Sequence, residues 1–548
     1  MTSLVRIYRI ANGRSSNNIP PVGLVASGIL VGVLVMLPIA YLLLRTVGAG
    51  EETLSLVFRW RVLAVLLKTL ALMAIVASAC VALAVPIAFL TLRTDMPFRR
   101  VMAVATVLPL VVPSYVAAYV AVAALGPRGM LQQALEGFGV DRLPEIYGLG
   151  GASFVLTAIS YPYVLLTVRA ALMRLDPAVE EAARALGRGT WQTLASVTFP
   201  LLRPAIAAGA LLVALYTLSE FGAVAILRFE TFSWAIYLQY EAAFNLGAAS
   251  SLAMVLGVLA LAIVWMESAT RSKGRYHRSS VGSVRSPVVL SLGRWRWPAF
   301  IFTLLPVVTG LLAPVGVLLY WLVRGLSRAE QLDAVLGPAG NSLAMAATAA
   351  VITVAVAAPV AVLSVRFAGR LSTLLEGVSY LGFALPGIIV ALALVFVGVN
   401  VLQPLYQTRV LLLAGYLTLF LSVAVGALRA SLLQVNPHVE EAAQSLGHSA
   451  WRTALRVTLP LVLPGILAGG ALVFLLTLKE LPATLLLSPT GFETLSTSIW
   501  NSVSEAFYAR AAAPALMLIV VTGPPIAYLT LRDLRRSHLD VVVQEDET

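Results

Sequence analysis

Two glutamates stand in apolar sequence, where charge is costly. Thr217 opens "TLSEFGAVAILRFETF" and Thr477 opens "TLKELPATLLLSPTGFETLSTSIW", so Glu220 and Glu480 occupy equivalent places. An acid at membrane depth usually faces a cavity or the interior of a helix bundle. Paired carboxylates suit a hard cation, which makes Glu220 and Glu480 candidates for a translocation path. The competing expectation is that each bonds a neighbouring helix or lies near the outer interface. Glu220 is 16 residues past Pro204, about 24 Å of helix. Lys479 adjoins Glu480, but i,i+1 neighbours do not face each other on a helix. No further metal ligands are readable. His277, His438, His448 and His538 show no ligand spacing, and the lone Cys80 excludes an internal disulfide or a cysteine cluster.

A second constellation is polar and also doubled. "DPAVEEAARALG" begins at Asp176 and "NPHVEEAAQSLG" at Asn436, 260 residues on. Asp176 and Asn436 are good N-caps, and Pro177 and Pro437 suit the first helical position. Glu180 and Glu181 complement the helix dipole, Glu180 can pair with Arg184 one turn on, and Gly187 and Gly447 supply a left-handed stop. Val179, Ala182, Ala183 and Leu186 form a narrow apolar stripe, repeated as Val439, Ala442, Ala443 and Leu446. The alanines leave the stripe flat enough for close approach of another backbone. It lacks the aromatic anchors of a lipid-surface helix, so a protein groove is the better partner. A second helical stretch follows in each copy, with Pro200 or Pro460 as its expected end.

The elements that carry these groups are set by composition. The chain has 548 residues, 59% hydrophobic and 12% charged, with mean hydropathy +0.90. A soluble domain carries about a quarter charged residues, so this is an all-α polytopic membrane protein. Runs long enough to span fall at 22–44, 69–92, 101–125, 150–173, 204–227 and 246–266, then at 299–323, 341–365, 374–398, 409–430, 464–487 and 511–531. The first run is longer than a signal-peptide core and lacks a cleavage pattern, so it reads as a retained span. With a cytoplasmic N-terminus, 26 Lys and Arg fall in inner segments and 11 in outer ones. This positive-inside bias also places the C-terminus and both polar elements in the cytoplasm. It accounts for much of the net charge of +12 without nucleic acid. Acidic, membrane-tethered helices are also poor DNA readers.

The chain divides into a first half (1–266, polar element 176–203), a basic Ser/Gly-rich linker (267–298) suited to an anionic membrane surface, and a second half (299–548, polar element 436–463). Between 176–200 and 436–460, 13 of 25 positions are identical. Earlier in each half the offset is 273, pairing Pro86 with Pro359 and Pro113 with Pro386. An even number of spans per half makes the repeat parallel, with a pseudo-twofold along the membrane normal.

"EEAARALG" followed by "VTFP", and "EEAAQSLG" followed by "VTLP", resemble the EAA signature of permease subunits in binding-protein-dependent ABC importers. The match falls on Glu181, Ala182, Ala183, Gly187, Val197 and Pro200, and on Glu441, Ala442, Ala443, Gly447, Val457 and Pro460. Val replaces Ile in both copies and Phe199 replaces Leu in the first. The resemblance implies a type I importer permease with two fused six-helix halves in the bacterial inner membrane. It implies that the elements are coupling helices, docked on two copies of an ATP-binding subunit. It also implies a substrate-binding protein, periplasmic or lipid-anchored outside the cell. The fused layout and the stretches at Ser219 and Lys479 look most like ferric-iron permeases; thiamine, sulfate, molybdate, polyamine and sugar permeases are related. Phenolates at Tyr115, Tyr119, Tyr161 and Tyr163 suit iron, but aromatic packing is the stronger expectation. None of the three lysines follows a Gly, so no Walker A motif is present. ATP is therefore expected on partner subunits, with no cofactor on this chain. An ion-driven secondary transporter and a passive scaffold are the rival classes.

Overall fold

The computed structural model describes residues 20–48, 59–127, 129–139, 143–175, 177–241, 246–273, 289–328, 335–367 and 369–545. Asp176, the expected first N-cap, residues 274–288 of the basic linker and the basic N-terminal segment 1–19 lie outside the described residues. Among the described residues, ten helices are long and apolar enough to cross a membrane, and twelve segments do so if two broken helix pairs each count as one. They are Val22–Leu44, Trp60–Arg93, the pair from Arg99, Leu149–Met173, Leu194–Ser219 and Gly247–Met266. The second half supplies Gly293–Ser327, Leu336–Arg366, the pair from Arg370, Arg409–Leu432, Ala450–Lys479 and Tyr508–Tyr528. Helices dominate because a bilayer leaves backbone groups no partner outside the chain.

Three departures from the expected runs shape the site. The third span is not one helix. Arg99–Ala105 gives way to a 3₁₀ turn at Leu108–Val111, and a helix restarts at Ser114, with 92° between the arms. Pro109 and Pro113 each remove an amide and crowd the preceding turn. Its counterpart stops at Ala384 and restarts at Gly387, around Pro386. The fifth spans also break. Their long helices end at Ser219 and Lys479, and short ones resume at Gly222 and Pro482.

The third departure concerns Pro200 and Pro460. Neither ends a helix; each lies inside a continuous run into the fifth span. A π turn precedes each, at Leu194–Thr198 and Ala454–Thr458, where the Phe199 and Leu459 amides reach back to the carbonyls of Leu194 and Ala454. The wider turn gives the proline ring room where an α turn would clash.

The helices gather into two compact units, and each draws on both halves of the repeat. One comprises Met1–Ile39, Ala347–Phe383 and Tyr416–Leu476. In it the first span packs on the second half: a Cβ on Gly28 would meet Leu363 and Leu375 at 2.8 and 3.0 Å. The other comprises Ala40–Ala346, Ala384–Gly415 and Thr477–Thr548. Here the seventh span packs on the first half, and a Cβ on Gly310 would stand 2.4 Å from the Ala158 carbonyl oxygen. The second unit also holds the end of the linker. Leu290 bridges to Thr94, and Asp95 accepts from the Leu292 amide at 2.8 Å and from Arg296 Nε at 3.0 Å. The Arg296 guanidinium, then the Leu292 amide, hold the Asp95 carboxyl well below its usual range.

Candidate functional site

The two polar elements fold alike. The helices are Pro177–Ala185 and Pro437–Ser445. Asn436 caps the second by accepting from the His438 amide. Both end on a left-handed glycine, Gly187 at φ 82° and Gly447 at φ 89°. The Arg188 and His448 amides close back on the carbonyls of Ala183 and Ala443 at 3.2 Å, the double-bonded stop that a glycine permits. Of each expected stripe only Ala183 or Ala443 is buried. Val179 and Leu186, like Val439 and Leu446, are exposed, Leu186 and Leu446 at 83% each. Ala182, Ala442, Glu181 and Glu441 also face outward. His438 Nδ1 lies 2.8 Å from Glu441 in the second copy.

The inner glutamates do something else. Glu180 does not rest on Arg184, as helical spacing suggested. It accepts from Arg93 Nη1 at 3.3 Å and Thr198 Oγ1 at 2.9 Å. Glu440 accepts from Arg366 Nη2 at 3.0 Å and Thr458 Oγ1 at 2.8 Å. Arg93 also reaches the Leu172 carbonyl and Arg366 the Val435 carbonyl. Arg93 and Arg366 end the second span of each half, and Thr198 and Thr458 end the π turns. The buried guanidinium wins over the half-buried i,i+4 partner because the desolvated carboxylate gains more from it. The signal was present in the sequence: Arg93 and Arg366 are equivalent at the offset of 273.

The acid pair sits at the fifth-span breaks, and both residues belong to one compact unit. Glu220 is 6% exposed. Its Oε1 accepts from Ser114 Oγ at 2.8 Å and from the Ala223 amide at 2.9 Å, with the Tyr216 hydroxyl also bonded to it. Glu480 is half-buried and accepts from the Ala483 amide at 3.1 Å. Each acid thus caps the helix that resumes after its break. The Lys479 ammonium donates to the Leu110 carbonyl in the broken third span. Among the described residues no three His, Cys, Asp or Glu side chains group as a metal site.

Outside the acids lies an aromatic cluster absent from the sequence expectations. Phe221 packs on Tyr237 at 4.8 Å and on Trp500 at 5.1 Å between ring centroids. A repeated Phe-Glu-Thr follows the fifth-span break in each half, at Phe229 and Phe492. In each copy the serine two residues past that Thr hooks the fifth span, Ser233 to the Leu218 carbonyl and Ser496 to that of Leu478. The four tyrosines are packing residues in part: Tyr115 donates to Ser496 and Tyr119 to the Tyr508 carbonyl.

The chain matches the family described as "Binding-protein-dependent transport system inner membrane component" twice, over residues 81–270 and 354–527. It is 35% identical to the Fe(3+)-transport system permease protein FbpB 2 of Haemophilus influenzae, over 93% of this chain and 98% of that one. The ferric transport system permease protein FbpB of Actinobacillus pleuropneumoniae is 25% identical over 76% of this chain and 63% of its own length. The molybdenum transport system permease protein ModB of Escherichia coli is 33% identical over 25% of this chain and 58% of its own. The chain therefore belongs to the inner membrane components of binding-protein-dependent transport systems, as the multi-pass permease of an ATP-binding-cassette importer.

Proposed function

We propose that this permease carries ferric iron inward, driven by two ATP-binding subunits docked on its two coupling helices. The observation that carries the substrate is its likeness, over nearly its whole length, to a permease named for Fe(3+) transport. The chain brings no Walker A lysine, since Lys68, Lys273 and Lys479 all follow residues other than glycine. ATP is therefore bound and hydrolysed on the partners, and this chain acts as a mechanical and selective element, not as an enzyme. Glu181, Ala182, Ala183 and Gly187, with Glu441, Ala442, Ala443 and Gly447, form the coupling elements. Their exposed outer rows, Val179 with Leu186 and Val439 with Leu446, suit a groove in each ATP-binding subunit.

On the outer side a substrate-binding protein, periplasmic or lipid-anchored, delivers the cation. Glu220 and Glu480 line its path, as carboxylate oxygen is the donor a hard cation prefers. ATP-driven closure of the subunits draws the coupling helices together and opens the bundle outward; hydrolysis reverses it. The test is uptake of radiolabelled Fe³⁺ into vesicles holding the complex, loaded from its binding protein. ATP-dependent uptake supports the reading. Stimulation instead by molybdate, sulfate, thiamine, a polyamine or a sugar would replace the substrate, and uptake without ATP would remove the class.

A further inference from the structure

A coupling helix of nine residues is too short to hold its own shape in water. On its C-terminal side the chain passes through a left-handed glycine, Gly187 or Gly447, a joint that bends easily. Load applied to the helix therefore reaches the spans through side chains, or is lost in the joint. The inward side chains are few. Ala183 and Ala443 make the apolar contact, and Glu180 and Glu440 make the polar one.

We propose that Glu180 with Arg93 and Thr198, and Glu440 with Arg366 and Thr458, are positioning residues that clasp each coupling helix to the spans, so that a stroke on the helix moves the bundle. This rests on the coupling role proposed above and concerns residues one step inside the docking face. Each clasp joins separate elements: the end of the second span, the coupling helix and the π turn at the root of the fifth. In the first, the Leu172 carbonyl near the end of the fourth span joins at 3.5 Å; in the second, the Val435 carbonyl ahead of the coupling helix joins at 3.4 Å.

The chemistry suits a stiff joint better than a stable one. A buried ion pair adds little net stability over apolar packing, but its bonds fix direction and are strong where water is excluded. The first clasp is well shielded, with side-chain exposures of 6% for Arg93 and 11% for Glu180. The π turn has a part here as well, because its last residue is the threonine that completes each clasp. Arg184, Ala185 and Arg188 differ from Gln444, Ser445 and His448, while all three clasp residues are the same in both halves.

The test uses the complete transporter, with ATP-binding subunits and substrate-binding protein, in lipid vesicles. Variant E180Q/E440Q keeps the size of the side chain and removes its charge. ATP-binding subunits should still co-purify with it and ATP should still be hydrolysed, while Fe³⁺ delivered per ATP falls about tenfold. T198V/T458V removes one bond of each clasp and should show the same defect more weakly. The charge exchange R93E/E180R, with R366E/E440R, should recover part of the ratio. An unchanged ratio in E180Q/E440Q overturns the clasp, and so does loss of the ATP-binding subunits from a folded E180Q/E440Q permease, which would put Glu180 in the docking face. The unaltered complex reports on the coupling role separately: if it transports without ATP, that role fails first.

Discussion

The two halves agree at their cytosolic ends and disagree at membrane depth. Arg93, Glu180, Thr198 and Gly187 have the same residues as counterparts in Arg366, Glu440, Thr458 and Gly447. Around the acids the counterparts change: Ser114 becomes Gly387, Tyr216 becomes Leu476 and Ser219 becomes Lys479. Glu220 therefore holds hydroxyl donors that Glu480 lacks. In the second half the carboxylate fills the space itself, since a Cβ on Gly387 would stand 2.5 Å from Glu480 Oε1. On the function proposed above, two like partners call for two like handles, whereas a single substrate passes one asymmetric path. Of the two acids proposed to line the path, Glu220 has more of its accepting capacity taken up by the protein than Glu480.

The largest test of this contrast is G387S, which gives Glu480 the serine that Glu220 has. The displaced atom is the end of a flexible side chain, so folding should survive. A bond to a charged group is worth about 1.5–3 kcal/mol, so competition for the carboxylate should lower Fe³⁺ uptake about tenfold or more. Uptake at the wild-type rate would remove Glu480 from the path. Next in size are G187V and G447V. A left-handed φ costs a residue with a Cβ about 1–2 kcal/mol, and the likeness of the handles predicts equal losses of coupled ATPase activity. Unequal losses would break the symmetry claimed for the cytosolic ends.

S114G removes one donor from Glu220 and should lower thermal stability by about 1.5 kcal/mol while uptake changes little; a drop in uptake with unchanged melting would exchange the roles of the two acids. The smallest effect concerns the linker end. Asp95 is held low by Arg296, so its contribution is complete above the ordinary aspartate range and is lost as pH falls through the lower native value. Hydrogen exchange over 289–297 should stay slow at neutral pH and quicken in D95N. No change in D95N would show that the backbone bridge at Leu290 suffices.

Much of the cytosolic end was legible in the sequence. Asn436 before Pro437, the acidic first turn and Gly187 or Gly447 are local signals with local consequences, and the helices start and stop where those residues require. The membrane end was less so. Hydropathy measures length, and it read 101–125 and 204–227 as unbroken because Pro113 and Glu220 sit within otherwise apolar runs. The clasps were missed for a different reason: Arg93 lies 87 positions from Glu180, and an i,i+4 partner was nearer to hand. The reciprocal packing of the first and seventh spans leaves no mark in periodicity, because a lipid-facing stripe and a helix-facing stripe are both apolar. Pro200 misled because a proline usually ends a soluble helix, while a π turn lets a membrane helix carry one onward.

The central claim is that ATP-binding subunits drive this permease through its paired handles. Its most direct test is Fe³⁺ accumulation by vesicles holding the permease with those subunits and the binding protein, compared with vesicles holding the permease and binding protein alone. Accumulation should require both the subunits and ATP, and should fail when Glu181 and Glu441 are both changed to Arg. Accumulation by the permease alone, or undiminished accumulation in E181R/E441R, would contradict it.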